Sequence, residues 1–150
     1  MSTPFFKDTL AQQLKILNLA VEKEMNKGLK RLDISLTSTQ VAVLMQMYLN
    51  TDQSLTQKQV ETALKLSHPT TRGIIKRLTA TGLLQTSPAV GDQRQIELRL
   101  TPAGTWFMKN HAGQIQAQAT QTEDKLVSNL STADQVTLQR LLTTLLTTMY

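Results

Sequence analysis

"LSHPTTRGIIKRL", Leu66 to Leu78, combines properties that do not sit together in a simple core helix. Ile74, Ile75 and Leu78 are apolar and spaced for one helical face, while the first half is rich in hydroxyls and cations. Ser67 is a good N-cap, because its side-chain oxygen can accept from a free N–H of the first turn. Pro69 then falls in that turn, where a missing N–H costs nothing. The pattern predicts a helix anchored by its later turns. His68, Pro69, Thr71 and Arg72 are expected to be exposed at its start, with Lys76 one turn further on.

The surroundings fit such a helix. Upstream, "LTQKQVETAL" places Thr56 as the N-cap of a short helix with Val60, Ala63 and Leu64 inward. Two short helices joined by a tight turn are a helix-turn-helix. After Gly82 the period changes: Ile96, Leu98 and Leu100 alternate strictly with Gln95, Glu97 and Arg99. "LLQTS" and "QIELRL" are expected to pair as a two-stranded hairpin, with "PAVGDQR" (88–94) as its loop.

Longer helices flank this centre. Leu10, Leu14, Leu17, Val21 and Met25 draw one apolar stripe through residues 5–31, with Pro4 in the first turn and Gly28 marking a fraying end. Thr37 is expected to cap a helix carrying Val41, Val43, Leu44, Met47 and Tyr48, which ends at the turn-forming "NTDQS" of residues 50–54. Thr101 and Pro102 open a helix to about residue 128, with Trp106, Phe107, His111 and Ile115 beginning one face. Ser131 caps a last helix whose stripe comprises Leu138, Leu141, Leu142, Leu145, Leu146 and Met149. The expected fold is mainly α with a small β-hairpin wing. A winged helix-turn-helix lobe (36–101) lies within a single 150-residue domain, between helical dimerisation regions at 5–31 and 102–150.

Charge narrows the function. Of the net +5, residues 54–101 supply +4: seven Lys/Arg against Glu61, Asp92 and Glu97. A solvated basic face is the bland reading and a polyanion-binding patch the sharper one. There is no cysteine, and the two histidines stand 43 positions apart, which argues against a metal site or cofactor. The longest apolar run, "VAVLM" at 41–45, is too short for a membrane span. "MSTPFFKD" lacks the pattern of a secretion signal, and a cytoplasmic location is expected. No nucleophile–base pair, paired carboxylates or phosphate loop is evident, so no enzyme is expected.

A DNA recognition helix presents its first turns to base edges and its cations to phosphates. Thr can donate, accept or place a methyl against thymine, and Arg can bind guanine through two bonds. The alternative is that Thr70 and Thr71 only support capping and that Arg72 and Lys76 are solvated. The coincidence of helix-turn-helix, hairpin and local charge favours DNA. A winged helix used purely for protein docking remains a second reading.

Three segments, "LTSTQVAVL" (36–44), "LTQKQVETALKLSHPTTRGIIKRLTATGLL" (55–84) and "GDQRQIELRLTPAG" (91–104), resemble the multiple-antibiotic-resistance-regulator (MarR) family of winged-helix repressors. The most specific part is Asp92-x-Arg94 followed by Leu98-x-Leu100-Thr101-x-x-Gly104. The resemblance implies a homodimer with intertwined terminal helices. It also implies a recognition helix in the major groove and Arg94 in the minor groove, with Asp92 steadying the loop. Gln93 stands where the commonest family pattern has arginine, so one wing cation is missing. The expected DNA contacts are Thr56, Gln57, Ser67, His68, Pro69, Thr70, Thr71, Arg72, Lys76, Arg77, Asp92 and Arg94. Release by a small lipophilic or phenolic compound is implied as well, with Met45, Phe107 and His111 as candidate ligand contacts. For His111, a satisfied core or interface histidine is the competing reading.

Overall fold

The computed structural model describes residues 7–50 and 54–150. Along the chain run α1 (Leu10–Arg31), α2 (Ser38–Leu49), β1 (Leu55–Thr56), α3 (Gln57–Leu64), α4 (His68–Ala80), β2 (Leu84–Ala89), β3 (Asp92–Leu100), α5 (Pro102–Leu126) and α6 (Thr132–Met149). Pro4 and most of the 50–54 turn lie outside the described residues. The architecture is the expected one: helices around a small antiparallel sheet.

Local chemistry sets the helix starts. Thr37, Thr56, Ser67, Thr101 and Ser131 each accept from a backbone N–H in the first turn that follows. Thr37 with Gln40 and Thr56 with Gln59 complete reciprocal capping boxes. α1 starts at Leu10, with Thr9 as its cap.

One core holds the lobe together. Val43, Leu44 and Met47 of α2, Val60 of α3, Ile74, Ile75 and Leu78 of α4, Leu84 of β2, Leu98 of β3 and Met108 of α5 bury one another. A smaller cluster of Leu29, Ile34, Val41 and Ile115 ties α1 to α2 and α5, and Leu36, Met45 and Phe107 pack against both clusters. Ala63, expected inward, is exposed, whereas Val60 is fully buried. Trp106 is 65% exposed and lies off the buried face of α5, which runs Gly104, Met108, Ile115 and Thr122.

The sheet differs from the expected hairpin in two ways. It has three strands in the order β1-β3-β2, because Leu55 and Thr56 pair with Leu98 and Glu97. The turn is also much shorter than residues 88–94: β2 runs to Ala89, β3 starts at Asp92, and only Val90 and Gly91 lie between. Pro88 is tolerated because β2 is an edge strand, where no neighbour needs its N–H, and the register slips between Pro88 and Ala89.

Gly28 is not a fraying end. α1 continues to Arg31, and Gly28 is buried where a Cβ would meet the Gln118 side chain of α5. Glu24 reinforces the same crossing through an ion pair to Lys125 of α5 (3.2 Å), and also meets Arg31 of its own helix (3.5 Å). The hydrogen bond from Lys125, more than the charges of Lys27 and Arg31, holds the Glu24 carboxyl below its ordinary range.

Candidate nucleic-acid interface

α3 and α4 are set at their angle by the turn between them. Lys65 takes the left-handed conformation (φ 54°), and the N–H groups of Lys65 and Leu66 both bond back to the Glu61 carbonyl. Ser67 then opens α4: its hydroxyl accepts from the Thr70 N–H (3.2 Å) and donates to Thr70 Oγ1 (2.8 Å).

From there α4 divides into two faces. Thr71, Ile74, Ile75 and Leu78 are buried, while His68, Pro69, Thr70, Arg72, Gly73, Lys76 and Arg77 are exposed. Thr71 is thus misplaced in the sequence reading. It is fully buried, and its hydroxyl donates to the Ser67 carbonyl at 2.8 Å, so it braces the cap and does not face a groove. Gln57 is likewise 5% exposed and packs with its amide 2.9 Å from the His68 ring nitrogen Nδ1. The hydroxyls of Thr56, Ser67 and Thr70 are engaged in caps. The capping alternative therefore describes the hydroxyls, and the charged residues remain as the outward-facing set.

The wing lies alongside. Gly91 adopts φ +86°, a conformation that strains other residues, and closes the two-residue turn. Asp92 Oδ1 accepts from the Arg94 N–H at 3.0 Å, bracing the start of β3. Arg94 sits on that strand, not in the loop, and shares a cleft with His68, Lys58 and Glu61. Arg72, Lys76 and Pro69 of α4 face Thr86 and Ile96 of the strands across a second groove.

The charges are arranged unequally. Each acid of this region has a nearby partner: Glu61 meets His68 (2.8 Å), Glu97 meets Arg99 (2.9 Å) and Asp92 meets the Arg94 backbone. Among the described residues, Lys58, Arg72, Lys76, Arg77 and Arg94 have no ion-pair partner. The exposed face of α4 and the adjoining strand thus present uncompensated positive charge.

Residues 34–95 match the sequence model of the MarR family. That segment, which holds the helix-turn-helix and the start of the wing, is similar to the MarR family. Three solved structures extend the likeness to nearly the whole chain. PcaV from Streptomyces coelicolor, in complex with its natural ligand, is 20% identical, with a TM-score of 0.79 and all of both chains covered. MepR from S. aureus, in complex with DNA, is 21% identical at a TM-score of 0.76, covering 95% of this chain and 99% of that one. A probable transcriptional regulator from Pseudomonas aeruginosa is 26% identical at 0.73, covering 92% and 97%. No curated protein matches the chain by sequence.

The winged-helix lobe joins α5 through a tight corner. Thr101 Oγ1 donates to the Gly82 carbonyl and accepts from the Gly104 N–H, and the Thr101 N–H donates to the Leu83 carbonyl. Where α2 packs on α5, Met45 and Phe107 each pack against both core clusters. The Phe107 ring stacks on His111 with centroids 4.5 Å apart, and His111 Nδ1 lies 2.8 Å from the Phe107 carbonyl. His111 is thereby a half-buried, hydrogen-bonded histidine.

Glu61 is the participant that the sequence reading passed over. Its only sequence signal is a carboxylate seven positions before His68, which means nothing until the turn brings α3 and α4 together.

Proposed function

We propose that the chain is a sequence-specific, double-stranded-DNA-binding transcriptional regulator, a homodimeric repressor on a pseudo-palindromic operator. The observation that carries this reading is the uncompensated cationic face of α4 beside the wing: Arg72, Lys76 and Arg94 point outward while the nearby acids are held by partners. A docking surface for a neutral protein has no need of that arrangement. MepR, which has a similar fold and was solved with DNA, adds support.

Dimerisation is supported by apolar surface outside the lobe. α6 has no buried residue, and Leu138, Leu141, Leu142, Leu145 and Leu146 are 37–57% exposed. Leu10, Leu14 and Leu17 of α1 are exposed as well. Such stripes are buried in obligate two-fold interfaces. A dimer then reads two inverted half-sites about 34 Å apart, roughly one turn of DNA. Release by a small lipophilic or phenolic compound completes the proposal. It draws on PcaV, which was solved with its natural ligand, and on the junction of Met45, Phe107 and His111.

The test is a gel shift on the promoter DNA next to the protein's own gene, repeated with a ligand panel and at rising salt. Repression predicts a shifted band that a ligand dissolves, with affinity falling steeply as salt rises. A salt-independent interaction, or none with any duplex, defeats the reading in favour of protein docking.

A further inference from the structure

An acid is out of place on a face meant for phosphates. Glu61 lines the cleft between α3, the head of α4 and β3, and its side chain is only 15% exposed. Burying a carboxylate there costs desolvation and repels DNA, so its contacts must compensate. Its partner is His68, the first residue of α4, with Nδ1 at 2.8 Å from Oε1 and 3.4 Å from Oε2.

That contact decides the state of the ring. An ionised carboxylate only accepts, so Nδ1 carries the hydrogen and donates it. Gln57 Nε2 lies 2.9 Å from the same nitrogen; since a protonated Nδ1 accepts nothing, the two ends of that amide exchange so that its oxygen faces the ring. The ring is held from two sides, yet the side chain is 64% exposed. Nε2 has no partner among the described residues. When the ring is neutral this atom is an acceptor, which repels phosphates and guanine edges. When the ring is protonated it donates.

We propose that Glu61 is a positioning residue that aims His68 Nε2 at the operator, and that DNA engages the imidazolium form, sandwiched between the Glu61 carboxylate and an acceptor on DNA. This rests on the DNA-binding reading above and adds to it a proton-linked contact at the head of the recognition helix. Groups around the ring oppose one another. Lys58 of α3, Arg94 of β3 and Arg72 one turn along α4 are the cations near it, and among the described residues Glu61 is the acid that meets it. Approach of the polyanion tips that balance toward protonation, so binding takes up a proton. Affinity therefore falls as pH rises.

The experiment uses the full chain and a duplex enriched from a random-sequence pool by the wild-type protein, with Kd measured by fluorescence anisotropy at constant ionic strength. Wild type should bind about tenfold more tightly at pH about 6 than at about 8. His68→Gln, which cannot titrate, should bind more weakly at the lower pH and lose most of that response. Glu61→Gln should reduce it as well, because the imidazolium loses its counter-charge. A merely structural Glu61–His68 pair moves thermal stability but not the pH profile. His111, hydrogen-bonded to the Phe107 carbonyl in α5, is common to all variants. Calorimetry of the wild type in two buffers of different ionisation heat gives a second reading that needs no variant: proton uptake on binding. A wild-type profile that is flat, or one that both variants share, overturns the proposal while leaving DNA binding intact. Failure of the wild type to enrich any duplex overturns the underlying reading instead.

Discussion

Replacing Gly104 by alanine should damage the corner that joins the lobe to α5. A Cβ built at Gly104 would lie 2.1 Å from the Leu83 carbonyl oxygen, 3.0 Å from its carbon and 3.2 Å from Leu100 Cδ2. The first obstacle is backbone and has no rotamer to escape into. Relief therefore requires the start of α5 to retreat by about 1 Å, and overpacking of this kind costs about 1–3 kcal/mol. The same carbonyl accepts from the Thr101 N–H at 3.1 Å, and straining that bond adds about 1 kcal/mol. Better helix propensity returns less than about 1 kcal/mol, since Gly104 lies in the first turn. The net loss is about 2–3 kcal/mol, a fall in Tm of about 5–10 °C. Gly28→Ala provides the contrast. Its Cβ would meet mainly the end of the Gln118 side chain, which can swing away, so the change should stay below about 1 kcal/mol in either direction. Urea and thermal unfolding of both variants supply the check. If Gly104→Ala unfolds at the wild-type midpoint, the steric account of this corner is wrong.

Thr71→Val keeps the buried shape and loses only the hydroxyl bond to Ser67, so it should cost about 1 kcal/mol of stability and leave base preference unchanged. Arg72→Ala, by contrast, should relax base preference at a cost of about 1–3 kcal/mol in affinity, as selection from a random-sequence pool would reveal. Arg94→Ala should change stability by less than about 0.5 kcal/mol yet weaken DNA binding, most where the operator's flanks are A·T-rich and the minor groove narrow. Asp92→Ala should do the same more mildly by removing the 3.0 Å bond to the Arg94 backbone, and equal affinity of all three proteins on both flank types would refute a wing contact. Leu142→Glu with Leu145→Glu, both on the exposed face of α6, should leave the lobe folded and convert a dimer to a monomer by light scattering. A wild type that is monomeric at micromolar concentration removes the dimer from the proposal.

What the sequence by itself determined is local in origin. The N-caps at Thr37, Thr56, Ser67, Thr101 and Ser131 were legible because a capping side chain bonds a backbone group within the same turn. The alternation through Ile96, Leu98 and Leu100 and the spacing of Ile74, Ile75 and Leu78 announced a strand and a helix for the same reason: one period identifies the element. The concentration of cations in residues 54–101 needed only counting. Tertiary structure decided which atoms those elements expose. Thr71 and Thr70 are adjacent and chemically alike, yet one is buried and one exposed, because the core beneath α4 selects a side of the helix. β1 is two residues long, too short for any periodic signal, and exists only because β3 lies beside it. Gly28 and Gly104 read as breakers or motif letters until a neighbouring helix or carbonyl occupies the space a side chain would fill. Glu61 and His68 are seven residues apart and become partners only when the left-handed Lys65 folds one helix against the other. Propensity acts within a turn, whereas exposure, close approach and pairing depend on what the rest of the chain packs alongside.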